Sequence, residues 1–88
     1  MVTQRSEKEF YRTVYSLAMG KEAEFFYDND VQTILSDLRV RFWGEDLIQR
    51  LQLLSKLLYF DSFVNAPLKD DLRSKSEELK HLTRSIQE

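Results

Sequence analysis

Residues 45–64, EDLIQRLQLLSKLLYFDSFV, decide the fold. Leu47, Leu51, Leu54 and Leu58 recur at helical spacing and make one stripe. Leu53, Leu57, Phe60 and Val64 make a second stripe beside it. At about 100° per residue the two stripes cover about half of a helix circumference. This helix is therefore expected to be central and wrapped on most sides by its neighbours. A bilayer span takes about 20 mostly apolar residues. Here Gln49, Arg50, Gln52, Ser55, Lys56, Asp61 and Ser62 interrupt the run, so it does not read as one.

The same pattern extends outward in both directions. Gly20, Gly44 and Pro67 are the only glycines and proline, and each stands where an apolar pattern changes phase. Upstream, Val31, Ile34, Leu35, Leu38 and Phe42 lie on one face of a helix over about 30–43, which Gly44 should end. Leu38 to Phe42 also alternates with period two, so a strand is the rival reading; the longer window favours the helix. Asp28, Asn29 and Asp30 offer caps for its start. Residues 21–30 form a connection in which Glu22 to Tyr27 has room for one helical turn.

A first helix over about 7–20 opens at Ser6-Glu7-Lys8-Glu9, a capping box. Its expected inner face is Phe10, Val14, Leu17 and Ala18, with Tyr11 and Tyr15 at the margin. Gly20 suits its end, because that position favours positive φ. Downstream, Asn65-Ala66-Pro67 opens a last helix over about 67–87, with proline tolerated in the first turn. Its seam is Leu68, Leu72, Leu79, Leu82 and Ile86. Lys75 occupies the missing seam position, which predicts looser packing there. The 88 residues thus read as one all-α domain, an antiparallel four-helix bundle with helices at about 7–20, 30–43, 45–64 and 67–87.

Composition narrows the function by exclusion. Apolar residues at 42% and charged residues at 32% suit a globular chain rather than a disordered one. There is no cysteine, which removes disulfides, thiolate metal sites and cysteine nucleophiles. The single histidine, His81, reads as a solvated group on the polar side of the last helix. Two glycines leave no phosphate-cradling loop. The sets Asp28, Asp30, Asp37 and Asp61, Asp70, Asp71 lack an EF-hand loop and read as caps or solvated charges. No enzyme activity, cofactor or metal is expected. The polar N-terminus, Met1 to Glu9, lacks the apolar stretch of a secretory signal, so a cytoplasmic protein is expected.

Two basic features bear on partners. Arg39, Arg41 and Arg50 cluster around Trp43, in the manner of a nucleic-acid patch. Three cations in a chain of net charge −2 are few, so no nucleic acid is expected and these read as a solvated flank whose stems cover apolar surface. On the last helix Lys69, Arg73, Lys80 and Arg84 fall on one flank, with Asp70, Asp71, Glu77 and Glu78 mostly on the other. A charge stripe of this kind is either a wet face or a docking surface.

Leu47-Ile48-Gln49-Arg50-Leu51 followed by Leu58-Tyr59-Phe60 resembles the third helix of the cytoplasmic immunity proteins against class IIa, pediocin-like bacteriocins, the enterocin-A-immunity group. Glu77-Glu78-Leu79 in the last helix fits the same pattern. The chain departs from many members in being slightly acidic. The resemblance implies an antiparallel four-helix bundle without enzymatic activity. Its implied partner is the mannose phosphotransferase permease with bound bacteriocin, approached from the cytoplasmic side without spanning the membrane. It also implies recognition through the C-terminal half, here Asn65 at the turn and Lys69, Arg73, Lys80 and Arg84 on the last helix. The competing reading is a homodimerising helical adaptor that uses the leucine seam of the last helix between two copies.

Overall fold

The computed structural model describes residues 4–87, all of whose regular structure is helical. The order is α1 (Gln4–Met19), α2 (Ala23–Asp28), α3 (Val31–Arg41), α4 (Gly44–Val64), a 3-10 turn (Ala66–Leu68) and α5 (Lys69–Gln87). The fold is all-α, as the periodicity predicts. Among the described residues no helix is long and apolar enough to cross a membrane.

The buried side of α4 follows the leucine stripe. Leu47, Leu51, Leu54 and Leu58 are all buried. The stripe continues through Ser55, Asp61 and Ser62, which are buried as well. The second stripe does not share this fate: Leu57 is buried, but Leu53 and Phe60 are exposed and Val64 is only half-buried. The expectation that α4 is wrapped on most sides is therefore corrected. It is sheathed along one face and open along the other.

α5 runs antiparallel beside α4. The Ser55 hydroxyl donates to the Ser76 carbonyl at 2.9 Å and the Ser76 hydroxyl donates to the Ser55 carbonyl at 2.8 Å. Small side chains at the crossing let the two backbones come this close, and the reciprocal bonds satisfy both buried hydroxyls. Leu72 and Leu79 are fully buried and Leu68, Leu82 and Ile86 pack on the core, so the seam faces inward. Of the five seam residues, Leu72 and Leu79 are enclosed by the chain itself, and Leu68, Leu82 and Ile86 keep part of their surface exposed.

α1 lies antiparallel to α4 on another side, with Ala18 near Arg50 and Tyr15 near Asp61. It begins no later than Gln4, so Ser6 lies within the helix instead of capping it, and its side chain lies outside the described part. The inner face is turned from the expected one. Tyr15 and Met19 are fully buried with Tyr11, Val14 and Ala18 beside them, while Phe10 and Leu17 are exposed. Positions 11, 14, 15, 18 and 19 make as good a helical stripe as the one expected, and the Tyr15 hydroxyl has a buried partner that turns the helix this way. Gly20 ends α1 at φ +72°, with its N–H donating to the Ser16 carbonyl at 3.0 Å.

The 21–30 connection is more than a loop. α2 places Ala23 and Phe26 in the core and stacks Phe26 on Tyr15, ring centroids 5.1 Å apart. Asp30 caps α3 by accepting from the Thr33 N–H at 2.9 Å, and that bond holds its carboxyl below the usual range. Val31, Ile34, Leu35 and Leu38 are buried, which settles the 38–42 ambiguity in favour of helix. α3 ends at Arg41, with Phe42 as its cap. Gly44, at φ +62°, is the first residue of α4 instead of the end of α3.

Candidate functional site

Two charged groups buried inside the fold, Asp61 and Lys75, fix the position of its surfaces. Asp61, buried in the last turn of α4, accepts from the Tyr15 hydroxyl at 3.0 Å and the Tyr27 hydroxyl at 2.6 Å. This corrects the reading of Asp61 as a cap or solvated charge. Burial first, and the Asp61 carboxylate second, push both phenols well above the ordinary tyrosine value. Lys75 is also buried, and its Nζ donates to the Phe26 and Tyr27 carbonyls, each at 3.0 Å, and meets Asp71 at 3.0 Å. Far from loosening α5, it ties that helix to the end of α2, whose last carbonyls have no helical partner.

The arginines around Trp43 serve the same purpose. Arg41 donates to the Met19 carbonyl and Arg50 to the Ala18 carbonyl, so both cap the C-terminus of α1. Arg41 also pairs with Asp37 at 2.5 Å, and Arg50 with Asp46 at 3.2 Å. Both guanidiniums lie over Phe42, at 5.3 and 4.4 Å from its centroid. These two are structural caps instead of a solvated flank, and only Arg39 of the three is left exposed.

Leu17, Val40 and Trp43 are exposed elsewhere, and four further exposed rings gather into an aromatic surface between α1 and α4. Phe10, Phe60 and Phe63 are 59, 51 and 56% exposed, and Tyr59 joins them. Tyr59 meets Phe60 and Phe63 edge to face, at 5.5 and 5.2 Å. Phe60 is exposed because it lies two residues beyond Leu58, about 200° around the helix from the buried stripe. Sequence reasoning placed Phe60 in the core and gave Phe63 no part. The signal available was their offset from the leucines.

The residues proposed from sequence divide into two groups on the structure. Arg73 and Lys80 converge on the aromatic surface. Arg73 sits 4.7 Å from the Phe63 centroid and 5.7 Å from that of Tyr59, with its Nε donating to the Ser62 hydroxyl at 3.2 Å. Lys80 stands 5.8 Å from the Tyr59 centroid, and Glu77 is 3.7 Å away. Arg84 joins Lys80 and Lys56 in a hollow between α4 and α5 of about 320 Å³. Lys69 and Asn65 do not join them. Lys69 is exposed at the start of α5. Asn65 caps α4 through its N–H to the Asp61 carbonyl at 2.9 Å, and its side chain neighbours Tyr27.

Among the described residues no three His, Asp or Glu side chains stand together as a metal site. Polar pairing inside is nearly complete: Arg41 Nε is the one buried side-chain polar atom without a partner among the described residues. Comparison with protein families, with characterised proteins and with solved structures finds no match for this chain.

Proposed function

We propose that this chain is a protein-binding helical module that acts as a cytoplasmic immunity protein against a pore-forming, pediocin-like bacteriocin. In this reading it binds the bacteriocin-engaged mannose phosphotransferase permease from the inner side of the membrane. One observation carries the binding role. Arg73 and Lys80 rest on aromatic rings of α4 that the fold leaves exposed, although it buries a full set of leucines elsewhere. Clustered exposed aromatics with arginine are the composition of interface centres. Large exposed apolar patches on small domains mark interaction sites. The resemblance of Leu47 to Leu51 and Leu58 to Phe60 to the immunity family supplies the partner, and Tyr59 and Phe60 of that motif lie on this surface. The test is expression in a bacteriocin-sensitive cell. Protection against a pediocin-like peptide is the expected result; unchanged killing by every peptide of that class counts against the immunity role.

A further inference from the structure

Phe60 forms a ridge between two notches of different chemistry. On its α1 side, Phe10, Tyr11, Phe63 and Val64 line an apolar notch of about 320 Å³, with Glu7 at the edge. On its α5 side, Lys56, Tyr59 and Lys80 line a notch of about 410 Å³ with no carboxylate in its wall. Lys56 and Lys80 also border the hollow that holds Arg84. Lys80 has a distant partner in Glu77, whereas Lys56 and Arg84 make no ion pair among the described residues. A chain with net charge −2 has thus gathered two cations beside its exposed rings, Lys56 and Lys80, and a third, Arg84, in the adjoining hollow.

We propose that this ridge docks an acidic segment of a protein partner. A large apolar side chain of the segment seats against Phe10, Phe60 and Phe63, and neighbouring carboxylates meet Lys56, Lys80 and Arg84. The inference rests on the protein-binding role proposed above, and not on the identity of the partner. Charge complementarity selects the acidic segment. Concavity selects a protein over a lipid surface: two notches either side of one ring match adjacent side chains of a peptide, whereas bilayer adsorption calls for apolar groups that dip into the lipid from one continuous face. Arg73, stacked on Phe63 and Tyr59 and bonded to Ser62, holds the rings in place before the partner arrives.

The full chain is titrated, with backbone amide NMR as readout, against three synthetic peptide pools and phosphatidylglycerol vesicles. The first pool mixes Asp and Glu with Phe and Leu; the second replaces the apolar residues by Ser; the third replaces the acids by Lys. Only the first pool is expected to shift the Phe60 and Lys80 amides. Phe60→Ser and Lys80→Glu should each weaken it by about tenfold or more, while both variants keep a cooperative melt within a few degrees of wild type, because neither side chain is buried. Equal binding of all pools, binding of vesicles alone, self-association through this surface, or no shift at these amides overturns the proposal. If the pools fail while the chain still protects sensitive cells, the docking chemistry falls and the immunity role stands. If the first pool binds and no protection is seen, the reverse holds.

Discussion

The Tyr27 hydroxyl donates to Asp61 Oδ2 at 2.6 Å, joining the six-residue α2 to the buried face of α4. Tyr15 from α1 donates to the same oxygen at 3.0 Å, so three helices meet on one carboxylate. A buried carboxylate depends on its donors, and removing one leaves a desolvated acceptor short of partners. Tyr15→Phe is expected to lower stability by about 1–3 kcal/mol in urea unfolding. Tyr15→Phe with Tyr27→Phe should cost more than the two single changes together, because each single variant keeps one donor. Strict additivity contradicts a shared site.

The same two phenols set the alkaline limit. Burial and the Asp61 charge raise both above the ordinary value of about 10, so the folded chain favours the neutral forms. Their contribution is complete below that value and declines as pH climbs from it towards the higher folded-state values, because over that window only the unfolded chain releases the protons readily. For Tyr15 alone the decline approaches about 1.4 kcal/mol per pH unit. Urea midpoints measured from about pH 8 to about pH 11 should fall steeply at the upper end. In Tyr15→Phe they should fall less.

Lys75→Met keeps the length of the stem and removes the ammonium. The Phe26 and Tyr27 carbonyls then lose their donor, at a cost of about 1–3 kcal/mol. The loss is local, so hydrogen exchange at the α2 amides should accelerate before the rest of the chain responds. Unchanged exchange over Ala23–Asp28 would show that Lys75 does not hold α2.

The two stripes of α4 give opposite expectations. Leu54→Ala opens a void in the core and should cost about 2–5 kcal/mol. Phe60→Ser, on the open side, should stay within about 1 kcal/mol of wild type. Reversing the charges of Lys80 and Arg84 should likewise change folding by no more than about 1 kcal/mol. Denaturant melts of the three variants check all of this in one series.

These contrasts also show what could be read in advance. The leucines at 47, 51, 54 and 58 and the stripe at 31, 34, 35 and 38 were legible, because apolar periodicity reports burial directly. Gly20 was legible from its conformational freedom. What escaped was the choice between neighbouring faces on helices apolar over a wide arc. On α4 the choice is made by Ser55, Asp61 and Ser62, which look like solvent positions until Ser76, Tyr15, Tyr27 and Arg73 arrive from other helices. Lys75 and the two capping arginines escaped for the same reason, since their acceptors are carbonyls distant in sequence. The basic flank was half legible: its charges follow from spacing, but its aromatic platform depends on which side of α4 faces out.

The central claim is that the exposed rings of α4 and the cations of α5 form the recognition surface. Its most direct measurement is the protection conferred by wild type, Phe60→Ser and Lys80→Glu in a bacteriocin-sensitive cell, with melting curves taken alongside. The account predicts protection by wild type and its loss in both variants, each of which still melts cooperatively within a few degrees of wild type. Full protection by both variants, or none by wild type, contradicts it.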